Sequence, residues 1–224
     1  MSSLNIDDNQ KTSLQNTVFA RWINSQLKGN DVKKIKDISK DLANGVALVQ
    51  LALTLTKKNA PRSWKKSPTR NIDMVQNCDL AIEMFSQDNV QIIGISGKDI
   101  NDNNEKLILG LIWSLVLHYS IQKSIQIENK ENENKILPKT NYKKELIKWA
   151  NDRLDGYSNI KNFEPYDLAI CALLDSYFPE KINFKELKVG DIEKNITLAN
   201  KVMEDLGISI YIYAEDLMEN ENKI

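Results

Sequence analysis

The side chains best suited to catalysis or metal binding are few and stand apart. The single histidine, His118, ends a long apolar run beside Tyr119, and the sequence places no second ligand or nucleophile with it. Residues 99–103 copy the start of an EF-hand calcium loop. However, Asn104 stands where that loop needs glycine, and Gly110 stands where it needs a bidentate glutamate. We therefore interpret His118 as structural and expect no metal site.

The sequence also gives no support for a phosphate-binding loop or a reactive cysteine. The tripeptide Ser96-Gly97-Lys98 lacks the upstream glycine of a phosphate loop, and the eight glycines form no dinucleotide fingerprint. Cys78 and Cys171 each lie among apolar residues at helical spacing, which favours two buried, reduced thiols. The sequence predicts a protein that is not an enzyme and that binds no cofactor.

A basic segment over residues 57–70 is the strongest candidate for binding an anion. It holds six Lys or Arg residues, no acidic residue, two prolines and Trp64, a composition typical of an exposed loop. Lys65, Lys66 and Arg70 are candidates for contact with an acidic protein surface or a phosphoinositide head group. A merely solvated loop is the alternative. Nucleic acid is disfavoured, because stacking aromatics do not repeat and no DNA or RNA motif is present.

Composition describes a globular protein with an uneven charge. The 224 residues, 27% charged and 42% hydrophobic, allow one large or two small domains. No signal peptide is visible near Met1, so we expect a cytoplasmic location. Residues 14–123 hold 15 Lys/Arg against 10 Asp/Glu, a net charge of +5, whereas residues 139–224 hold 12 against 16, a net charge of −4. The first half is therefore the one expected to meet an acidic partner.

The run from Leu107 to Leu117 is apolar except for Ser114. It is too short to cross a membrane, which takes about 20 residues. A helix that is apolar all round must be enclosed by its own protein or by a partner. We expect either a central helix of a helical domain or a helix with an adhesive side, and we expect the second domain to cover part of it.

The sequence is duplicated. The segment Arg21–Leu27 recurs as Lys148–Leu154, and Asp41-Leu42-Ala43 and Asn71-Ile72 recur in the same order as Asp167-Leu168-Ala169 and Asn195-Ile196. A period above 100 residues indicates a duplicated domain and not a solenoid. The predicted organisation is a first domain at 14–123, a polar linker at 124–138 and a second domain at 139–224.

Each copy is predicted to be all-α, with about four main helices and short connectors. In the first copy these are a helix capped by Thr12 and Gln15, a helix at 42–55 opened by Asp41, a helix at about 71–86 and a helix on the apolar run. Gly45 is expected to allow a close helix contact. The alternation of Ile208, Ile210 and Ile212 suggests a strand, but a lone strand has no sheet to join. The second copy is expected to lack the long apolar helix after Leu217.

Several of these residues carry a family resemblance. Phe19, Trp22 and Asn24 in the first helix, Asp41 to Gly45, and Lys106 to Trp113 resemble the actin-binding calponin-homology domains of the filamin and α-actinin type. The second half resembles the second such domain through Asn162-Phe163, Cys171 to Leu174, Asn195-Ile196 and Ala214 to Asp216. It departs in lacking the Trp and Asp-Gly that usually follow Asn-Phe.

The resemblance implies a non-catalytic cytoskeletal module that binds the sides of actin filaments. By that resemblance the first domain carries most of the affinity and the second modulates it, while any oligomerisation depends on sequence outside the two domains. A phosphoinositide-binding scaffold module that uses residues 57–70 is the alternative function. The contact residues that the resemblance implies are Arg21, Asn24, Ser25 and Lys28 on the first helix, Lys106 before the apolar run, and Lys143, Lys144 and Lys148 in the second domain.

Overall fold

The chain folds as two compact units, one containing Thr12–Ile136 and the other Leu137–Ile224. The computed structural model describes residues 8–122, 142–157, 160–161 and 163–218. In these ranges the regular structure is helical, which confirms the predicted all-α fold. The alternation at 208–212 forms no strand. The predicted linker, 124–138, lies outside the described residues, and the predicted domain boundaries stay predictions.

In its described part, the first unit has six α-helices. The long ones bury one apolar face each, so that Ile23, Leu48, Phe85, Ile108 and Ile112 meet in the core. Its helices are α1 (Asp8–Gln26), α2 (Ile38–Leu42), α3 (Val46–Thr56), α4 (Asn71–Gln87), α5 (Gly97–Asn101) and α6 (Glu105–Val116), the last continued by a π-helical segment, Leu117–Gln122.

The second unit has a smaller core in its described part. Cys171, Leu174, Ile182, Ala199 and Val202 form its main buried cluster. Its helices are α7 (Tyr142–Arg153), α8 (Tyr166–Tyr177), a short 3-10 helix (Phe184–Glu186), α9 (Ile192–Asp205) and α10 (Ala214–Met218). Residues after Met218 lie outside the described part, so the expected absence of a last helix stays a prediction.

Two predicted helix starts are wrong. Helix α1 begins at Asp8, and no glycine or proline between Asp8 and Thr12 interrupts it. Thr12 therefore lies inside the helix and does not cap it. The helix predicted at 42–55 is in fact two. Asp41 belongs to the short α2, where its carboxylate accepts the backbone N–H groups of Lys36 and Asp37 at 2.8 and 3.0 Å. The main helix α3 starts only after Gly45.

Gly45 has a left-handed backbone, φ 73°, which stops α2 from continuing into α3. The predicted close contact at this glycine is confirmed. A Cβ built there would lie 2.5 Å from Cβ of Asn77 and 2.6 Å from the backbone nitrogen of Cys78. The absence of a side chain therefore sets how closely α4 approaches the start of α3.

The structure corrects the register of the duplication. Asn71 is the exposed first residue of α4, whereas Asn195 is fully buried inside α9. The buried counterpart in the first unit is Asn77, since Nδ2 of Asn77 donates to the Lys65 carbonyl at 2.8 Å and Nδ2 of Asn195 donates to the Lys188 carbonyl at 2.9 Å. Each asparagine ties the preceding loop to its helix.

The structure also corrects the pairing of the two aspartates in the duplicated segments. Asp167 is buried in the first turn of α8 and accepts from Asn195 at 2.7 Å, so it does not correspond to the partly exposed Asp41 of α2. Residues 27–45 separate α1 from α3, whereas only residues 154–165 separate α7 from α8, and sequence matching across these unequal segments misaligned the aspartates.

Candidate functional site

Helix α6 packs along α1, and three contacts define the interface. Nδ2 of Asn16 donates to Oε1 of Glu105 at 3.1 Å, the Phe19 and Trp113 rings stack at 6.4 Å, and Nε1 of Trp22 donates to Oγ of Ser120 at 3.0 Å. The contacts advance along both helices in the same order. The first helix and the apolar run, which the sequence predicts to share one surface, are therefore neighbours.

The candidate residues on α1 share one side of the helix. Arg21, Asn24 and Ser25 have the i, i+3, i+4 spacing, and the buried Ile23 and Leu27 lie on the other side. Lys28 follows the helix and is exposed. Arg21 and Lys28 give this side of α1 a positive charge.

Asn24 has a structural task on this edge. Its Nδ2 donates to the carbonyl of Ile35 at 2.7 Å, and its Oδ1 accepts the Ile35 N–H at 2.8 Å. The Ser25 hydroxyl donates to the Trp22 carbonyl at 2.7 Å. The Asn24 amide thus fixes the loop before α2, while its role in contacting a partner stays a prediction.

The remaining candidate lysines are exposed where the structure describes them. Lys106 lies in the first turn of α6, next to the Glu105 that contacts α1. Lys144 and Lys148 are exposed on α7 of the second unit. The Lys143 side chain lies outside the described part of the chain.

The basic loop is partly neutralised by α4, which the sequence did not reveal. Lys58 pairs with Asp88 at 2.8 Å, and Arg62 pairs with Glu83. Arg70 makes two hydrogen bonds to Asp73, each 2.8 Å, and this interaction lowers the pKa of the Asp73 carboxyl. Half of the six cations in residues 57–70 therefore have an acidic partner.

Lys65 and Lys66 remain exposed, and within the described residues neither makes a salt bridge. The loop around them is held in place, because Oδ1 of the buried Asn77 accepts the Lys65 N–H at 3.1 Å and its Nδ2 donates to the Lys65 carbonyl. Of the three candidates for anion binding, Arg70 pairs with Asp73 whereas Lys65 and Lys66 do not pair, and a role for them in binding stays a prediction.

The apolar run predicts a central helix, but Trp113 within it is not a buried core residue. Its side chain is 39% exposed, whereas Trp22 is 3% exposed. Ile108, Leu111, Ile112 and Leu115 form the buried side of α6, so Trp113 lies on the opposite, outward side. One large apolar side chain of the run is thus partly exposed in the first unit, while an adhesive role for it stays a prediction.

The candidates for chemistry behave as structural residues. Cys78 and Cys171 are buried and free, as predicted, and burial raises the pKa of each thiol to about 12. His118 packs edge-on against Tyr119, whose hydroxyl donates to Asp88 at 2.8 Å. No group of three metal-ligating side chains occurs in the described ranges. No helix among those residues is both long and apolar enough to span a membrane.

Two structural hydrogen-bonding groups, one that holds a loop and one that caps a helix, were not predicted from the sequence. Asn77 carries no local signal, since its partner Lys65 lies twelve residues away in a loop. Ser96 and Asp99 form a capping box at the start of α5, in which Ser96 Oγ accepts the Asp99 N–H and Asp99 Oδ2 accepts the Ser96 N–H. The Ser-x-x-acid spacing signals this cap, but these residues were considered only for phosphate and calcium binding.

The sequence comparisons agree with this architecture. Residues 14–121 and 140–224 match the calponin homology (CH) domain. The chain therefore belongs to the CH-domain family and carries two CH domains in tandem, which confirms the resemblance.

Among its relatives, interaptin from Dictyostelium discoideum is 30% identical over 215 residues, covering 94% of this chain and 12% of interaptin. Alpha-actinin-like protein 1 from Schizosaccharomyces pombe is 28% identical over 218 residues, covering 94% of this chain and 33% of that protein. The chain thus spans a third or less of these relatives' length.

A solved structure shares the fold. The actin-crosslinking core of Schizosaccharomyces pombe fimbrin superposes with a TM-score of 0.69 at 22% identity, covering 94% of this chain and 45% of the fimbrin chain. At this level of identity the likeness concerns the fold alone.

Proposed function

We propose that the chain is a non-catalytic module of a cytoskeletal protein that binds the sides of actin filaments in the cytoplasm. The observation that carries the proposal is the tandem CH match over both halves of the chain. Pairwise alignment covers 94% of the chain with alpha-actinin-like protein 1. It covers 93% with microtubule-actin cross-linking factor 1 of Rattus norvegicus, at 29% identity. These names associate the domain pair with actin.

The proposed contact surface in the first domain combines the polar side of α1 with the outward side of α6. Arg21 and Lys28 supply positive charge on α1, Lys106 adds a further cation on α6, and Trp113 adds a partly exposed aromatic ring on α6. Such a mixture fits an acidic protein surface that also carries apolar contacts. Lys144 and Lys148 on α7 are the proposed contribution of the second domain.

We assign most of the affinity to the first domain and a modulating role to the second. The net charges of +5 on residues 14–123 and −4 on residues 139–224 support this division. An acidic filament surface attracts the basic first domain and repels the acidic second domain. Cosedimentation of the full chain with actin filaments tests the function directly. An Arg21→Glu/Lys106→Glu variant should pellet less than the full chain does, and a Lys181→Glu/Lys185→Glu variant should pellet like it.

The division of labour needs a second experiment. Residues 1–122 should still pellet with filaments, whereas residues 137–224 should stay in the supernatant. Raising the salt concentration should weaken the binding, since exposed charges are screened within about 8–10 Å at physiological ionic strength. Failure of the full chain to pellet at low salt would refute the actin proposal, and equal pelleting by both halves would refute only the division between the domains.

Lys65 and Lys66 support a second candidate function, binding of phosphoinositides. They are exposed on a loop that Asn77 holds in place, and two adjacent ammonium groups attract a phosphorylated head group. Sedimentation with vesicles that contain phosphoinositide, against vesicles of neutral lipid, tests this function separately from actin.

A further inference from the structure

Ser67 and Pro68 form the one place in the 224-residue sequence where a serine or threonine directly precedes a proline. The pair lies within the basic loop, directly after Lys66, and Arg70 stands three residues after the serine. A residue that precedes proline is biased towards an extended backbone. The loop therefore carries a hydroxyl on a basic segment that favours an extended conformation.

The structure leaves this hydroxyl accessible. Ser67 is exposed, and residues 66–69 belong to no helix. No backbone–backbone hydrogen bond joins these four residues to another residue that the structure describes. Phosphoryl transfer by a protein kinase requires the acceptor hydroxyl to be positioned in line with ATP. The segment can enter a kinase cleft without losing a hydrogen bond of this kind.

Both ends of the accessible segment are held in place. On one side, Asn77 binds the backbone N–H and carbonyl of Lys65 at 3.1 and 2.8 Å. On the other side, the Arg70 side chain makes two hydrogen bonds of 2.8 Å to Asp73, and its carbonyl accepts the Asp73 N–H at 3.0 Å. Ser67 thus lies in a short exposed stretch between two fixed points, where a new group alters surface charge and leaves the core untouched.

We propose that Ser67 is a phosphorylation site for a proline-directed protein kinase, and that the phosphate switches off the attraction of the basic loop for anions. The second half of this proposal rests on the proposed binding of phosphoinositides by Lys65 and Lys66. The kinase class follows from Pro68, because its ring removes the backbone N–H next to the acceptor. The kinase must accommodate a residue that lacks this donor.

The reaction moves the γ-phosphoryl group of ATP to the serine. Oγ of Ser67 forms a bond to the γ-phosphorus, and the bond from this phosphorus to the bridging oxygen breaks, which releases ADP. The hydroxyl proton passes to the catalytic aspartate of the kinase. The side chain, neutral before the reaction, then carries a charge of about −1.5 to −2 at pH 7.

The new charge lies beside the unpaired cations of the loop. Lys58, Arg62 and Arg70 each have an acidic partner, whereas Lys65 and Lys66 make no salt bridge among the residues that the structure describes. The phosphate carries about as much negative charge as these two lysines carry positive charge. It therefore cancels their attraction for an anionic surface.

Mass spectrometry tests the site without any assumption about function. The full chain, incubated with ATP and a purified proline-directed kinase, should gain one phosphate on the peptide that contains Ser67. Ser67→Ala should abolish the incorporation, and Pro68→Ala should remove most of it. Ser63→Ala is the matched control, since Ser63 is exposed in the same loop but precedes no proline.

Two results of this experiment would overturn the modification site. One is the absence of phosphate at Ser67 in the folded chain, while a synthetic peptide of residues 57–73 is modified. The other is equal incorporation into the unchanged chain and a Pro68→Ala variant that thermal melts show to be folded. The first would mean that the fold hides the acceptor, and the second that the proline does not direct the kinase.

Phosphorus NMR tests whether the phosphate meets the two lysines. Neighbouring ammonium groups favour the doubly charged phosphate, and so lower its second pKa, which is about 6 for phosphoserine. Lys65→Ala with Lys66→Ala should therefore raise the pKa of the phosphate at Ser67. A pKa that this double substitution leaves unchanged would contradict the cancellation of charge.

Vesicle pelleting tests the switch itself. The phosphorylated chain should bind phosphoinositide vesicles about 10- to 30-fold more weakly than the unmodified chain, because each lysine near an anionic lipid surface strengthens binding roughly fivefold. Ser67→Ala treated with the same kinase should bind like the unmodified chain. Equal binding by the modified and unmodified chains would overturn the switch. If the unmodified chain does not bind, the phosphoinositide function and its switch are both refuted, and mass spectrometry alone decides the modification site.

Discussion

Asn77 binds both backbone groups of Lys65, accepting its N–H at 3.1 Å and donating to its carbonyl at 2.8 Å. Since Asn77 is almost fully buried, these bonds connect the core to the tip of the basic loop. The position of the loop's two exposed lysines therefore depends on one amide in α4.

Replacement of Asn77 by alanine should destabilise the first domain by about 1–3 kcal/mol, because the backbone groups of Lys65 lose their partners in a partly buried site. Urea unfolding measures the change in the free energy of unfolding. Gln76→Ala is the matched control, as the adjacent Gln76 is exposed and should change stability by less than about 0.5 kcal/mol. Equal effects of the two substitutions would contradict the role of Asn77.

Gly45→Ala should be among the most damaging single-methyl changes in the chain. The new Cβ would lie 2.5 Å from Cβ of Asn77, at a backbone φ of 73°. Left-handed strain and overpacking together should cost about 2–5 kcal/mol. Gly29→Ala separates the two causes, since Gly29 also has a positive φ of 90° but has nothing within 4 Å of the new methyl. It should cost about 1–2 kcal/mol, and an equal loss at both sites would refute the close contact.

The two tryptophans of the α1–α6 interface should respond differently to truncation. Trp22→Ala removes a buried ring and a hydrogen bond to Ser120, and should cost about 3–5 kcal/mol. Trp113→Ala removes a ring that is 39% exposed and should cost roughly half as much. Thermal or urea unfolding compares the two. Because Trp113→Ala should remain folded, its cosedimentation with actin then reports on the outward side of α6, and unchanged pelleting would remove Trp113 from the proposed surface.

Reversal of the loop charge should lower anion binding without unfolding the domain. Lys65→Glu with Lys66→Glu changes two exposed side chains, so stability should shift by no more than about 0.5 kcal/mol per substitution. Pelleting with actin filaments, and with phosphoinositide vesicles, measures the effect on each partner. The control is Lys181→Glu with Lys185→Glu, two exposed lysines of the second unit. If both variants bind both partners like the unchanged chain, the loop is only a solvated surface.

Both thiols should be unreactive in the native state. Burial penalises the thiolate and raises the pKa of Cys78 and of Cys171 to about 12, so at pH 8 only about one molecule in ten thousand carries either thiolate. Raising the pH from 7 to 9 should speed labelling by a disulfide reagent, yet leave it far slower than that of a free thiol. The same reagent should titrate two thiols per chain in denaturant. Rapid labelling of either cysteine in the folded protein would contradict its burial.

The helical class, the duplication and the positions of several helices could be predicted from the amino-acid order alone. Helix α4 was predicted at about 71–86 and spans Asn71–Gln87, because the 3.6-residue spacing of its apolar residues is a local pattern. The close approach at Gly45 and the burial of both cysteines also follow from local composition. The family resemblance depends on short runs of residues, which can be recognised without knowing the tertiary structure.

Which residues of one type are buried, and which are exposed to a partner, depends on contacts that form when the chain folds. Trp22 and Trp113 look alike in sequence, and what encloses Trp22 includes Ser120, 98 residues away. The pairing of Lys58 with Asp88 and of Arg62 with Glu83 joins the basic loop to the end of α4, so the neutralisation of two of the loop's six cations could not be seen in the sequence. Burial and ion pairing depend on residues that folding brings together. The spacing of apolar residues along one helix does not reveal which distant segment packs against that helix.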